Sequence, residues 1–166
     1  MNPIVAFFED QVRAEAIITR KFLNIIPEDK YDWKPHPKSM QVERLATHIA
    51  ELPGWIPMAI KTEVLDFAAS DYKPKPTKNN KDLMALFEEN QKKALEALSK
   101  TTDAFLQNSW TMKNGDIIFF TITKQEVLRM AMSQTIHHRA QLGVFLRLLD
   151  IPIPGSYGPS ADDATM

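Results

Sequence analysis

Hydrophobic residues recur at intervals of three and four along four long segments of the chain, which is the spacing of amphipathic helices. The first segment runs from about Pro3 to Ile26. Asn2 is a suitable N-cap, proline is favoured at the first helical position, and Pro27 ends the run. The third segment spans about 82–98, with charged residues opposite its hydrophobic side. Both segments predict regular helices with one buried face.

The second segment contains helix-breaking residues in its middle. It begins after Ser39, a plausible N-cap, and its hydrophobic pattern continues to Val64 and Leu65. Pro53 and Pro57 lie inside this run. Because an internal proline removes a backbone hydrogen bond, a kink or break is expected near residues 52–55.

The fourth segment is preceded by the pattern of a β-hairpin. Residues 110–113 and 117–120 are suited to strands, and the Asn-Gly-Asp sequence at 114–116 is typical of the turn between them. The helix then opens with the capping-box sequence Thr123–Glu126 and ends before Pro152.

Four helices of this kind predict an all-α fold, a four-helix bundle with long connections and at most a short hairpin before the last helix. The chain has 166 residues. That length suits one domain with a sizeable core, so residues 1–166 are predicted to form a single domain.

Composition excludes several classes of function. Lysine and arginine number 20 and aspartate and glutamate 21, so a net charge of −1 gives no basic surface for nucleic acid or an anionic membrane. No hydrophobic stretch is long enough to span a bilayer, and the first residues lack the basic region of a signal peptide, so a cytoplasmic protein is expected. Cysteine is absent, which excludes thiolate ligands and a cysteine nucleophile.

Candidate chemistry lies on two of the predicted helices. Gln134 and His138 are four residues apart on the hydrophobic stripe of the fourth helix, so both side chains are expected to point into the bundle. His48 lies on or beside the hydrophobic face of the second helix. Two inward histidines from different helices can form a metal site in a bundle. An equally physical alternative is that each is a core histidine hydrogen-bonded to a carbonyl.

Other polar and aromatic residues are expected to have structural roles. Arg139 and Arg147 are predicted to pair with Asp162, Asp163 or Glu126. His137 is expected to bond to a neighbouring group, and His36 to be exposed in a proline-rich loop. The three tryptophans, Trp33, Trp55 and Trp110, are expected to anchor the core and loops.

Three motifs resemble those of a known family. They are Leu-Ala-Thr-His-Ile-Ala-Glu at 45–51, His-His-Arg-Ala-Gln-Leu at 137–142 and Tyr-Gly-Pro-Ser-Ala-Asp at 157–162. In order and spacing, nearly the whole chain resembles the DinB/YfiT-like superfamily. The resemblance implies a four-helix bundle, often a homodimer, with a metal held by one histidine of helix two and a His-x-x-x-His pair of helix four.

Carried over to this sequence, the resemblance implies that His48 and His138 are metal ligands and that position 134 supplies the third. Glutamine stands there instead of histidine. Three interpretations are open: the amide oxygen of Gln134 takes the ligand position, Glu51 replaces it, or the site has lost its metal and Gln134 bonds a histidine. The implied metal is Zn²⁺ or Ni²⁺, for which an amide is a weaker ligand than imidazole.

Two classes of function follow from this resemblance. Characterised relatives include small-thiol S-transferases and isomerases, so the chain is predicted to be a divalent-metal-dependent enzyme acting on a small molecule with a thiol co-substrate, or a hydrolase. The absence of cysteine requires the sulfur to come from that co-substrate. The alternative is a non-enzymatic, stress-associated binding or dimerisation bundle whose family name implies damage-inducible expression.

Overall fold

A computed structural model of the chain describes residues 2–70 and 77–164. The described residues form six α-helices, two single-turn 3-10 helices and three strands. In chain order these are α1 (Pro3–Asn24), a 3-10 turn (Glu28–Lys30), α2 (Val42–Glu51), a 3-10 turn (Leu52–Gly54), α3 (Trp55–Lys61), β1 (Val64–Asp66), α4 (Asn80–Leu98), α5 (Asp103–Leu106), β2 (Ser109–Asn114), β3 (Ile117–Thr123) and α6 (Lys124–Leu148).

A three-stranded mixed sheet lies beside the helices, so the predicted all-α four-helix bundle is wrong. The strand order is β1-β2-β3, with β1 parallel to β2 and β2 antiparallel to β3. The β2–β3 pair is the hairpin that the sequence indicates, and Gly115 at its turn has a φ of 58°. A positive φ is easily adopted by glycine.

Strand β1 lies where the hydrophobic pattern predicts the end of the second helix. The hydroxyl of Thr62 donates a hydrogen bond to the carbonyl of Met58 at 2.9 Å, and the backbone of Thr62 is already extended. The backbone amide of Thr111 then donates to the carbonyl of Glu63 at 2.9 Å, and Val64 pairs with Thr111. Pairing with a distant strand therefore overrides the local helical pattern.

The break predicted near residues 52–55 is confirmed. Helix α2 ends at Glu51, the Leu52–Gly54 turn contains Pro53, and α3 starts at Trp55. Helices α2 and α3 both pack against α4 and α6. This arrangement gives two hydrophobic clusters, one around α1, α2, α4 and α6 and one that includes α3 and the fully buried Trp110.

The buried face of α6 is centred on a different line of residues from the predicted one. Arg139 is buried and forms an ion pair with the buried Glu15 of α1, with 2.6 Å between the nitrogen and the carboxylate oxygen. Thr135 and Leu142, on the same line, are also buried, whereas Gln134 is exposed. The expectations that Gln134 is buried in the bundle and that Arg139 pairs with a C-terminal acid or Glu126 are therefore wrong.

Within the described residues, no helix is both long enough and hydrophobic enough to cross a lipid bilayer.

Candidate functional site

His48 of α2 and His138 of α6 meet where these two helices pack together. Their ring centroids are 4.7 Å apart, and the ring planes make an angle of 74°. Both side chains are half-buried. The sequence prediction that these two histidines converge agrees with this geometry, while their role as metal ligands stays a prediction.

Both imidazoles are held in the neutral form. Burial, the neighbouring His138 and the positive charge of Arg44 lower the pKa of His48 to about 4. Burial also lowers the pKa of His138, against the opposing effect of its hydrogen bond to Gln141. Neutral imidazole has a nitrogen lone pair, and it is this form that binds a metal ion or accepts a proton.

The hydrogen bond between His138 and Gln141 determines which nitrogen of His138 is free. The amide oxygen of Gln141 lies 2.7 Å from Nδ1 of His138. Because an amide oxygen can only accept, Nδ1 carries the proton and Nε2 keeps its lone pair. The three-residue spacing of Gln141 and His138 on one helix could have indicated this contact, which the sequence analysis did not identify.

Gln134 lies one helical turn before His138, and its side chain is exposed. Glu51 is ion-paired instead with Arg44, at 3.4 Å. Among residues 2–70 and 77–164, no group of three or more histidine, cysteine, aspartate or glutamate side chains is arranged to hold a metal ion. The structure thus provides two imidazoles, and the ligand role of Gln134 stays a prediction.

The separation of the two rings is compatible with a shared metal ion. With a metal–nitrogen distance of about 2.1 Å, two imidazoles on one tetrahedral or octahedral ion have centroids roughly 4.5–5.2 Å apart. The observed 4.7 Å lies within that range. The distance between the rings thus permits His48 and His138 to be two ligands of one divalent metal, and their ligand role stays a prediction.

The remaining candidate residues lie outside this pair. His137 is exposed, and its ring contacts that of His138 at 4.9 Å between centroids. His36 is exposed, as predicted. Arg147 forms an ion pair with Asp162, which confirms the sequence prediction for that arginine.

His48 also lines a cavity of about 670 Å³ on its other side. One wall is formed by residues along α2 and α3, including Trp55. The other wall is formed by the facing side of α4, together with β1 and the residues just after it. Its size is within the range of small-molecule sites. The cavity depends on the position of β1, which the hydrophobic pattern does not indicate. Trp55 packs against a hydrophobic cluster, as predicted, and also lines the cavity.

Comparison with known proteins places the chain among bacterial relatives of the same length. The uncharacterized protein YjoA of Bacillus subtilis is 26% identical over 130 residues, covering 78% of this chain and 80% of YjoA. A crystal structure of a DinB-like protein from Bacillus cereus has a TM-score of 0.68 at 20% identity, covering 89% of this chain and 94% of that one.

A more distant structural neighbour has a named activity. The crystal structure of a mycothiol-dependent maleylpyruvate isomerase has a TM-score of 0.62 at 15% identity, covering 84% of this chain and 60% of that one. At this identity the likeness concerns the fold. The sequence profile of the DinB family, in contrast, matches residues 6–165, almost the entire chain. The chain belongs to the DinB family.

Proposed function

We propose that this protein is a divalent-metal-dependent enzyme in which His48 and His138 hold the metal and a small thiol is the co-substrate. The observation that carries the proposal is the contact of two neutral imidazoles, 4.7 Å apart between centroids, one of which, that of His48, lines a cavity. A bound divalent cation would lower the pKa of a coordinated thiol and so supply a thiolate at neutral pH.

The protein's own residues would prepare the site for this chemistry. Burial keeps the pKa values of His48 and His138 low, so protons do not compete for the ligand nitrogens at neutral pH. Gln141 orients the ring of His138 with Nε2 available. The amide oxygen of Gln134, one turn away, is the candidate third donor.

Two further facts support a thiol co-substrate. The chain contains no cysteine, so a sulfur nucleophile has to come from a second molecule. A protein of the same fold is described as a mycothiol-dependent isomerase. The reaction class is accordingly transfer or isomerisation that begins with attack of a thiolate on an electrophilic small molecule; hydrolysis by activated water is the variant.

Metal binding by the purified protein tests the proposal. After removal of metals with a chelator, the protein is incubated with Zn²⁺, Ni²⁺ and Mn²⁺, and bound metal and thermal stability are measured. At least one ion should bind stoichiometrically and raise the unfolding temperature, and H48A and H138A should each abolish both effects. H36A is the control because His36 is an exposed histidine in the loop before α2.

The alternative, a non-enzymatic binding bundle, is favoured by the exposure of Gln134. It predicts that none of the three ions binds in a histidine-dependent way, which would overturn the proposed enzyme. If an ion does bind, the loaded protein should accelerate the reaction of a small thiol with a chromogenic electrophile, and H48A should not.

A further inference from the structure

The cavity beside His48 has walls formed by two helical faces. Arg44, His48, Glu51, Trp55 and Met58 follow one another at steps of three and four residues along α2 and α3. Such spacing places them on one face. Across the cavity, α4 contributes residues from Leu86 to Lys93 with the same periodicity.

The hydrophobic part of the lining is formed by side chains from several elements of the fold. It comprises Trp55, Met58, Leu65, Phe67 and Leu86, which come from α3, β1, the segment after β1, and α4. Removing hydrophobic and aromatic surface from water favours binding by about 25 cal/mol per Å². A ligand with a flat hydrophobic body would therefore gain most of its affinity from this side of the cavity.

The charged residues of the lining are already paired within the protein. Arg44 is paired with Glu51 at 3.4 Å, and Lys93 with Glu89 at 2.5 Å. The two pairs contribute two positive and two negative charges, which cancel. An anionic ligand would compete with Glu51 for Arg44 or with Glu89 for Lys93, and a cationic ligand would compete with Arg44 or Lys93 for the carboxylates. The lining therefore complements an uncharged ligand better than a charged one, by the modest amount that partly exposed ion pairs are worth.

The position of Trp55 relative to His48 sets the length of such a ligand. The two residues are seven positions apart, across the end of α2 and the 3-10 turn Leu52–Gly54, which corresponds to a rise of roughly 12 Å. A two-ring aromatic molecule stacked against Trp55 would reach the imidazole of His48 with its other end.

We propose that this cavity binds an uncharged, largely hydrophobic aromatic molecule of about two rings, with one end at His48. The role of this molecule in catalysis rests on the proposed function, in which it is the electrophile that the thiolate attacks. The binding itself does not require the metal.

The experiment uses the metal-free, full-length protein and two fluorescent probes of similar shape. N-phenyl-1-naphthylamine is neutral, and 8-anilinonaphthalene-1-sulfonate is anionic. The neutral probe should bind once per chain and accept excitation energy from Trp55, and the anionic probe should bind roughly two- to fivefold more weakly, the difference expected when a partly exposed ion pair is exchanged. Equal or tighter binding of the anionic probe would overturn the proposal.

Two lining variants and one matched control locate the binding. L86E places a charge in the hydrophobic wall, and M58W fills the cavity; each should weaken the neutral probe by at least about tenfold. F7S removes an exposed aromatic residue from α1, outside the cavity, and should leave the affinity unchanged. Circular dichroism and the unfolding temperature identify a variant that fails to fold. W55F, a small change, should then still reduce the energy transfer, with Trp33 and Trp110 giving what remains.

The result is separable from that of the metal experiment. H138A should keep the neutral probe while losing the metal, because His138 does not line the cavity. Loss of probe binding in F7S but not in L86E or W55F would place the probe outside the cavity and overturn the cavity proposal, whatever the metal result. Failure of all three ions to bind, with probe binding intact, would overturn the proposed enzyme and leave the ligand class standing.

Discussion

The amide oxygen of Gln141 accepts a hydrogen bond from Nδ1 of His138 at 2.7 Å, and this contact selects the tautomer of the histidine. Replacing Gln141 with leucine removes the acceptor and keeps the approximate volume. We expect His138 in Q141L to populate both tautomers, and the affinity for a divalent metal to fall by about 10- to 100-fold, as is usual when a partner of a ligand histidine is lost.

The tautomer can be measured from the nitrogen chemical shifts of the His138 ring in metal-free protein at pH 8. Q141E keeps an acceptor at the same position and is the matched control, so it should retain the Nδ1-protonated form. Equal tautomer populations in wild type and Q141L would contradict the positioning role of Gln141.

A substitution at position 134 should raise the affinity for a divalent metal, whereas Q141L should lower it. In Q134H a third imidazole stands one helical turn before His138, where side chains four residues apart can reach a common ion. The metal dissociation constant should decrease by at least about tenfold, because imidazole is a better ligand than an amide for Zn²⁺ and Ni²⁺. Competition with a chromogenic chelator measures it.

The comparison with Q134A separates the interpretations of the glutamine. If the amide oxygen of Gln134 is a ligand, Q134A should bind metal more weakly than wild type; if Gln134 stays in solvent, the two should bind equally. Binding by Q134H no tighter than by wild type would show that side chains at position 134 do not reach His48 and His138.

The low pKa of His48 links stability to pH. This pKa falls from an ordinary 6.5 to about 4 in the folded protein, so between these values the unfolded chain binds a proton that the folded protein does not. The free energy of unfolding should therefore decrease as the pH falls from 6.5 towards 4. Because the side chain of His48 is partly open to solvent, the loss is smaller than the full pKa difference would give.

Urea unfolding with a chelator present, at pH 7.5 and pH 5.0, tests this linkage. Wild type should lose more stability between the two pH values than H48Q, whose side chain does not titrate. The variant H36Q, at an exposed histidine, should behave like wild type. Parallel losses in wild type and H48Q would rule out His48 as the origin.

Elements determined by neighbouring residues in the chain were predictable from the sequence. The capping box of α6 is present, with the hydroxyl of Thr123 accepting from the amide of Glu126 at 3.2 Å and the Glu126 carboxylate accepting from the amide of Thr123 at 2.9 Å. The turn at Gly115 and the break at Pro53 are similarly local. These signals act within four residues, so one segment of sequence contains them entirely.

Elements that depend on distant partners were not predictable. Val64 is in a strand because it pairs with Thr111, and helical periodicity carries no information about that partner. The orientation of α6 follows from Arg139, which a hydrophobic stripe assigns to the surface but which is buried against Glu15. The buried face of α6 is therefore centred on Arg139 rather than on the predicted stripe. Gln134 is exposed as a result, whereas His138 lies at the edge of the buried face, so only part of the site was predicted.

The pair formed by Arg139 and Glu15 is the basis of the last prediction. Both side chains are nearly inaccessible, and the hydroxyl of Tyr157 contacts both carboxylate oxygens of Glu15, at 2.7 and 2.8 Å. In R139M the carboxylate of Glu15 loses its cation while buried, and the free energy of unfolding should fall by about 3–5 kcal/mol.

The double variant E15L/R139M determines how much of that loss comes from the unpaired charge. With both ions replaced by hydrophobic side chains, no charge is buried without a partner, so the double variant should be more stable than R139M. Urea unfolding of the wild type, both single variants and the double variant gives the coupling energy. The hydroxyl of Tyr157 loses one hydrogen-bond partner in each single variant and both partners in the double variant, so Y157F measured alongside reports its separate share. A double variant as unstable as the sum of the single ones would mean that Arg139 and Glu15 act independently, which their 2.6 Å contact argues against.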